Sequence, residues 1–312
     1  MLNALLLLLL AILLLLFSTR AFMSSAIETS LSLRISPLVV GVTVVAIGTS
    51  LPELAVSFLA VLKNEPGLAI GNIVGSNIVN IFLVFPVSVL LADLKMGISK
   101  TQRNAFLMVA VTFAFFFLNV FRVYYRLIGL AFLFLAALFT FQEYRWGIEG
   151  RDNEDSRYIC RKETKLNRKT VWLLLASLVG IFWSGNIIVR SVEQISSISG
   201  ISTTFLGLSL AAVATSLPEL FFTVIGTRKD EQKAATGNIL GSNIYNILLI
   251  GGVTLLFSSV PLISGLTWFF FLFSALSFYG LICYFKGRIV PRWTAYLFFL
   301  GFLAFLVCLG LN

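Results

Sequence analysis

Long apolar runs separated by short polar connections repeat along the whole chain. Each run has about 17 to 25 residues, the length that a helix needs to cross the hydrocarbon core of a bilayer. The runs begin near residues 3, 37, 67, 104, 124, 171, 201, 233, 264 and 293. This pattern predicts an all-α polytopic membrane protein with ten transmembrane helices in two groups of five.

One polar stretch divides the two groups. Residues 143–170 contain eight Lys and Arg side chains interleaved with acidic ones, and we interpret the stretch as a solvated linker. We therefore expect residues 1–142 to form the first five-helix repeat and residues 171–312 to form the second.

The first apolar run has the composition of a signal peptide as well as that of a span. Against cleavage, no Lys or Arg precedes residues 5–16, since the first basic residue is Arg20. Residues 5–23 also align with residues 171–189 at the repeat spacing described below. We expect the run to be retained as a span.

Composition agrees with a membrane protein. Hydrophobic residues make up 58% of the chain and the mean hydropathy is +0.97, which leaves no soluble domain of any size. The net charge of +9 does not indicate nucleic-acid binding, because the basic residues lie between apolar spans and not on one solvated face. The expected partner is the lipid bilayer, and the sequence names no protein partner.

The side chains available for chemistry are restricted. The chain has no histidine, and its three cysteines, one in the linker and two in apolar segments, have no metal-ligand spacing. Any proton or metal chemistry must therefore use oxygen atoms. We expect no bound cofactor and no enzymatic activity.

The basic residues are distributed unevenly between the two sides of the predicted membrane. Nineteen of the 23 Lys and Arg residues fall on one side, and the other side has Lys63, Arg122, Arg126 and Arg190. Because positive residues are retained in the cytoplasm, both termini are predicted to lie outside and the linker inside. The absence of a large regulatory insert favours a prokaryotic cell membrane, which would be the inner membrane.

The chain contains an internal repeat with a constant offset of 166 residues. Residues 49–53 (Thr-Ser-Leu-Pro-Glu) return at 215–219, and residues 71–80 match 237–246 at eight of ten positions. Because each copy holds an odd number of spans, the second copy crosses the membrane in the opposite sense. Inverted repeats with Pro- or Gly-interrupted helices are typical of secondary transporters, whose substrate site lies near the midplane.

Two acidic residues stand out, because Glu53 and Glu219 alone fall well inside apolar spans. An ionised carboxylate in lipid costs several kcal/mol or more, and no Lys or Arg within the spans is available to pair with either one. The paired carboxylates therefore predict a bound cation or a proton.

Further oxygen atoms surround these carboxylates in the sequence. Pro52 and Pro218 each remove a backbone donor, so we expect nearby main-chain carbonyls to be freed from helical hydrogen bonds. Hydroxyl and amide groups recur at equivalent positions in both repeats. The predicted ion ligands are Glu53, Glu219, Thr49, Thr215, Ser50, Ser216, Ser76, Ser242, Asn80, Asn246, and the carbonyls of Ala46 and Ala212.

The asparagines at 72, 77, 238 and 243 are assigned to bonds between helices and left out of this set. The glycine pairs at 71 and 75, and at 237 and 241, are expected to let neighbouring helices approach closely.

An all-oxygen site with two carboxylates suits hard cations such as Ca²⁺ and Na⁺. Two glutamates neutralise one Ca²⁺. If three Na⁺ ions replaced it, one positive charge would remain and the exchange would be electrogenic.

These motifs resemble the two α-repeats of the cation/calcium exchanger superfamily, especially its small prokaryotic sodium/calcium exchanger branch. The resemblance covers the whole chain and is most specific in residues 48–53 with 71–80 and residues 214–219 with 237–246.

The resemblance implies an antiporter in which Glu53 and Glu219 bind Ca²⁺ or Na⁺, and in which the spans beginning near residues 3 and 171 slide against the other eight. It also implies ligand roles for backbone and hydroxyl oxygens. These are the carbonyls of Ala46, Thr49, Ala212 and Thr215, and the hydroxyls of Ser50, Ser76, Ser216 and Ser242 as sodium ligands.

The chain departs from the superfamily at one position. Relatives frequently carry aspartate at the position of Asn246, whereas this chain has an asparagine in both halves, at Asn80 and Asn246. An amide offers a carbonyl oxygen but no charge. Sodium stoichiometry and potassium dependence therefore stay open.

Two other functions are compatible with the sequence. In an H⁺/Ca²⁺ or other cation/H⁺ antiporter, Glu53 and Glu219 would take up protons when the cation leaves. In a cation channel, a continuous pore would be needed, which oligomer symmetry usually builds. The single inverted repeat favours alternating access, and Na⁺-driven Ca²⁺ antiport is the leading hypothesis.

Overall fold

The structure is a computed structural model of a chain of α-helices. It describes all residues except 33–45, 92, 95, 98, 122–124, 150–166, 229–231, 259–262 and 311–312.

The first half contains α1 (Leu2–Ser32), the short α2 (Ala46–Thr49), α3 (Leu51–Leu62), α4, α5 (Ser99–Val120) and α6 (Tyr125–Glu149). Helix α4 runs as Pro66–Val79, a π-helical segment Asn80–Val84, and Phe85–Leu91.

The second half contains α7 (Arg168–Ser199), α8, α9 (Leu217–Arg228), α10, α11 (Gly265–Tyr284) and α12 (Arg292–Gly310). Helix α8 runs as Thr203–Leu206, the π-helical Gly207–Ala211, and Ala212–Thr215. Helix α10 runs as Gln232–Tyr245, the π-helical Asn246–Gly251, and Gly252–Phe257.

The described residues contain nine helical segments long and apolar enough to cross a membrane. The prediction of an all-α polytopic membrane protein is confirmed, but the count of ten spans is not. The second predicted span begins near residue 37, outside the described residues. Its later part is helical, as α2 and α3.

Helices α4 and α10 lie at the centre of the molecule and are buried over most of their length. Their aliphatic side chains join the larger of two hydrophobic clusters, in which Phe82 and Phe85 of α4 pack edge-to-face on Phe298 of α12. Both helices change to π-helical geometry at equivalent residues, Asn80 and Asn246. Such π segments occur frequently at functional sites.

Helices α1 and α7 pack along each other and form a second, separate hydrophobic cluster with parts of α3, α4 and α8. The two helices approach closely where Gly180 of α7 faces Ser18 of α1. Many of their remaining side chains, such as Phe17 and Trp183, are exposed on the outer surface of the molecule. The pair predicted to slide is therefore a packed unit at the periphery.

Contacts between connections show which of them share one end of the molecule. The Met96 N–H donates to the Arg288 carbonyl at 3.0 Å, and the Thr170 hydroxyl donates to Glu28 at 3.0 Å. The Thr203 hydroxyl donates to Glu65 at 2.8 Å. The first contact joins two connections and the second joins the ends of α1 and α7, all of which the charge count assigned to one side. The third joins a connection to the start of α8, both assigned to the other side.

Glu143 lies in a helix and not in the solvated linker. Glu143 was assigned to the linker, but it lies in the last turns of α6 and is only 3% exposed. It accepts a hydrogen bond from Asn104 at 2.9 Å and pairs with Lys100 at 2.9 Å, both on α5. The linker therefore begins later than residue 143, and residues 150–166 of it lie outside the described residues.

Candidate cation-binding site

Both copies of the repeated Thr-Ser-Leu-Pro-Glu segment break a helix at the serine. Ser50 has φ −84° and ψ 0°, and Ser216 has φ −84° and ψ 2°, so the two breaks have nearly the same geometry. Each proline lies in the first turn of the following helix, where a missing N–H costs little. The breaks place Glu53 and Glu219 in the first turns of α3 and α9, where the helix dipole stabilises negative charge.

The Glu53 carboxylate is fully buried and faces residues of the second half. The Ser216 hydroxyl donates to its Oε1 at 3.3 Å, and the Thr215 hydroxyl lies beside it. Its Oε2 has no hydrogen-bond partner among the described residues. One carboxylate oxygen is therefore available for a ligand.

The Glu219 carboxylate is also fully buried and lies close enough to Glu53 for the two charges to repel each other. The hydroxyls of Thr49 and Ser242 lie beside it. Neither Glu219 oxygen makes a hydrogen bond of full geometry with the described residues. Two ionised carboxylates in this arrangement require positive charge between or beside them.

Hydrogen bonds that cross between the two halves repeat with the 166-residue offset. The Thr49 hydroxyl donates to Asn238 Oδ1 at 3.2 Å, and the Thr215 hydroxyl donates to Asn72 Oδ1 at 3.1 Å. A second pair of crossing contacts also follows the offset: Thr49 with Ser242 and Thr215 with Ser76, each with 3.3 Å between the hydroxyl oxygens. The inverted repeat therefore builds one site, in which each half completes the other.

Asn72 and Asn238 hold this network in place. The Asn72 amide donates to the Glu53 carbonyl at 3.3 Å and to the Ser57 hydroxyl at 3.0 Å. The Asn238 amide donates to the Thr223 hydroxyl at 3.3 Å, at the equivalent position. Bonds between helices are confirmed for Asn72 and Asn238, but their contact with the threonines of the site was missed. Their identity at a constant offset was the available signal. For Asn77 the prediction was wrong, because its amide donates to the Ile73 carbonyl of its own helix at 2.8 Å.

The two asparagines at the π-helical segments are not equivalent. Asn80 donates to Asn243 Oδ1 at 3.1 Å, whereas neither atom of the Asn246 amide has a partner among the described residues. Both side chains are fully buried. The second-half asparagine is therefore a buried amide whose hydrogen bonds are left for a ligand or for water.

The backbone carbonyls differ from the prediction in one respect. The Ala212 carbonyl was expected to be freed by Pro218, but it accepts the Ser216 N–H at 3.1 Å and lies 3.3 Å from the Thr215 hydroxyl. The helical partner that Pro218 lacks is instead the carbonyl four residues earlier, at Ala214. Ala46 begins α2.

The predicted close approach of helices is confirmed at Gly71 and Gly75, where α4 meets α8. A Cβ atom added at Gly71 would lie 2.6 Å from the Thr204 carbonyl oxygen, and one at Gly75 would lie 2.5 Å from the Leu208 carbonyl oxygen. Helix α4 therefore rests directly on the backbone of α8. In the second repeat the equivalent partners of Gly237 and Gly241 would be residues 38 and 42. Both positions lie outside the described residues, so the close approach stays a prediction for this glycine pair.

The buried oxygen atoms without partners define what the site can hold. They belong to carboxylates, a hydroxyl and amides, which are ligands of hard cations. Within the described residues these atoms at the site are Glu53 Oε2, Glu219 Oε1 and Oε2, Ser50 Oγ, Asn80 Oδ1 and Asn246 Oδ1. Unpaired buried oxygens are costly, and a cation such as Ca²⁺ or Na⁺ would supply the missing partner.

Broken helices from an inverted repeat that meet at two buried carboxylates define a secondary transporter of hard cations. Comparison with known proteins agrees with this class. The model of the sodium/calcium exchanger protein family matches residues 3–144 and 169–311. The chain belongs to this family of cation/Ca²⁺ antiporters.

Individual relatives extend over most of the chain. The chain is 32% identical to the sodium/calcium exchanger MaX1 of Methanosarcina acetivorans, with 97% of each chain covered. It is 35% identical to the putative antiporter CaxA of Alkalimonas amylolytica over 81% of this chain and 80% of that one. Among solved structures, the sodium-calcium exchanger NCX_Mj superposes with a TM-score of 0.69 and 26% identity, covering 96% of this chain and 97% of the other.

Proposed function

We propose that the chain exchanges Ca²⁺ for Na⁺ across a membrane by alternating access. One observation carries the proposal: two fully buried carboxylates from opposite halves, with three of their four oxygen atoms free of hydrogen bonds to the described residues. Two glutamates balance the charge of one Ca²⁺, and the family assignment favours Na⁺ over H⁺ as the coupling ion.

In this proposal Glu53 and Glu219 supply the charge that holds Ca²⁺. Neutral oxygens complete the coordination of Ca²⁺ and of the Na⁺ ions that replace it. The proposed neutral ligands are Thr49, Thr215, Ser50, Ser216, Ser76, Ser242, Asn80, Asn246 and the carbonyls of Ala46 and Ala212. The Ala212 carbonyl keeps a second lone pair for an ion while it accepts the Ser216 N–H.

Alternating access is assigned to α1 and α7, which would move as a pair against the other helices. Their mutual packing and their separate hydrophobic cluster support this division. A peripheral pair that slides past the broken helices would open the buried carboxylates first to one side of the membrane and then to the other.

The membrane arrangement is part of the proposal. We place the first repeat up to the end of α6 at Glu149 and the second from the start of α7 at Arg168, which shortens the linker predicted at residues 143–170. The connecting segment is placed in the cytoplasm and both termini outside, in a prokaryotic inner membrane. The 19-to-4 distribution of Lys and Arg supports the orientation, and the two matched segments of the family model are separated near the linker.

Uptake of radioactive calcium into proteoliposomes tests the function. We expect uptake to require internal Na⁺, and Glu53→Gln or Glu219→Gln to lower the rate at least about a hundredfold, because each variant leaves one carboxylate against a divalent ion. Glu193→Gln is the matched control, since Glu193 is an acid on α7 with a partly exposed side chain. It should retain the rate of the unmodified chain.

Two results would contradict the proposal in different ways. If a pH gradient alone drove uptake while a Na⁺ gradient had no effect, the coupling ion would be H⁺. If both Gln variants transported normally, the assignment of the site would be wrong whatever the coupling ion.

A further inference from the structure

A groove lies on the outer surface of the molecule where α7 meets α3. Its volume is about 800 Å³, and apolar side chains form most of its lining. Val179 and Trp183 of α7 line it and are 62% and 65% exposed, while Leu59 of α3 forms part of the opposite wall. In a membrane this groove would open to the lipid.

The groove has the length of one acyl chain in one leaflet. Its lining on α7 runs from Leu178 to Arg190, which at a rise of 1.5 Å per residue is about 18 Å. Half of a hydrocarbon core about 30 Å thick is about 15 Å. An extended chain that enters at the Arg190 end would therefore stop near the middle of the bilayer.

The end of the groove near Arg190 carries excess positive charge. Arg190 lines the groove, and Lys63 lies near enough to feel its charge. The acid at this place is Glu193, whose Oε2 is 3.7 Å from the Lys63 ammonium, which is beyond hydrogen-bond distance. These two cations and one carboxylate together carry one net positive charge. The other acid of this connection, Glu65, accepts a hydrogen bond from the Thr203 hydroxyl at 2.8 Å.

The Lys63 ammonium makes an ion pair with Glu193 but no hydrogen bond of short length. Its Nζ is buried, with no hydrogen-bond partner among the described residues. Burial lowers the pKa of Lys63, Arg190 acts in the same direction, and Glu193 opposes both. A phosphate group placed at this end would provide both the negative charge and the acceptor oxygens.

We propose that the groove binds an anionic phospholipid, with an acyl chain along Val179 and Trp183 and the phosphate at Arg190. The buried Lys63 ammonium adds positive potential at this end without lining the groove. The apolar lining alone would accept any chain, so the basic end is what selects an anionic headgroup. The polar side chain of Asn186 lines the same groove one helical turn from Arg190 and is positioned for the ester region below the headgroup.

Native mass spectrometry of the detergent-solubilised chain tests this site. The protein is titrated with phosphatidylglycerol or with phosphatidylcholine of the same acyl chains. We expect phosphatidylglycerol to bind more tightly, and Arg190→Gln to weaken its binding about fivefold. Phosphatidylcholine has the same phosphate but no net charge, so the variant should weaken it by a smaller factor and narrow the difference between the two lipids. Arg126→Gln is the matched control, because Arg126 is an exposed arginine assigned to the same side but outside the groove.

Two further variants test the basic end and the apolar lining of the groove separately. Lys63→Gln should weaken phosphatidylglycerol in the same way if Arg190→Gln fails to fold, and Val179→Trp should lower retention of both lipids by filling the groove. Equal affinity of the unmodified chain for the two lipids would overturn the proposal, as would an equal loss in Arg126→Gln. Binding is measured without ion gradients, so this outcome does not depend on the proposed antiport.

Discussion

At the residue scale, the site is built from pairs that belong to different halves of the chain. The carboxylate of Glu53 meets the hydroxyls of Thr215 and Ser216, and that of Glu219 meets the hydroxyl of Thr49. Because these partners are more than 160 residues apart in sequence, each half alone would leave a carboxylate without its neutral neighbours. The site exists only when the two halves are packed together.

Removing either supporting asparagine is expected to weaken cation binding by a similar factor. Asn72→Ala removes the acceptor of the Thr215 hydroxyl, and Asn238→Ala removes that of the Thr49 hydroxyl. Each variant therefore loses one or two hydrogen bonds of the site, and each bond contributes about 0.5–1.5 kcal/mol. We predict an increase of about 2- to 100-fold in the KM for Ca²⁺, with a smaller change in the maximal rate. The measurement is the calcium dependence of uptake in proteoliposomes.

The control for this prediction is Asn119→Ala. Asn119 is buried in α5, and its amide donates to the Phe115 carbonyl within the same helix. It should leave the KM unchanged. A normal KM in both Asn72→Ala and Asn238→Ala would show that the threonines are held by other groups.

At the scale of elements, small residues mark two different helix contacts of α7. A Cβ atom added at Gly185 would lie 3.1 Å from the Ala55 Cβ on α3, and one added at Gly180 would lie 3.1 Å from the Ser18 Cβ on α1. Both separations are slightly below the usual range for a disulfide, about 3.5–4.5 Å, so a small adjustment allows either bond. The first contact joins the proposed moving pair to the core, and the second lies within the pair.

Disulfides at these two places distinguish sliding from a rigid molecule. In a chain whose native cysteines are replaced by serine, the pair Ala55→Cys and Gly185→Cys is expected to stop transport when oxidised and to recover on reduction. The pair Ser18→Cys and Gly180→Cys should transport in both states, because α1 and α7 move together. Calcium uptake before and after reductant is the measurement, and full transport by both oxidised pairs would contradict the sliding of α1 and α7.

At the scale of the whole molecule, the charge distribution agrees with the packing of the connections. The segments joined by the Met96–Arg288 and Thr170–Glu28 contacts were assigned to one side by charge, and those joined by Thr203–Glu65 to the other. The inverted repeat therefore has two chemically distinct ends. The end with most of the Lys and Arg residues is expected to face the cytoplasm.

Cysteine labelling of intact cells tests this orientation. A chain that keeps only Cys160, in the linker, should react with a membrane-impermeant maleimide only after the cells are permeabilised. A chain whose sole cysteine is Ile201→Cys should react in intact cells, because Ile201 is exposed between α7 and α8 at the opposite end. The reverse labelling pattern would show that the molecule is oriented the other way.

The sequence by itself determined the class of the fold and the centre of the site, because hydropathy and repeat spacing are local properties of the chain. Span-length runs, the 166-residue offset and the unpaired Glu53 and Glu219 predict a transporter with one paired carboxylate site. They also predict which positions in the two halves correspond.

Tertiary structure decided what depends on packing between distant segments. Only the packed helices show that Thr49 bonds to Asn238, that Asn246 lacks the kind of partner that Asn80 has, and that Glu143 is buried against α5. The repeat makes the two halves equivalent in sequence. Their different neighbours in the folded chain make them inequivalent in structure, and no local pattern records those neighbours.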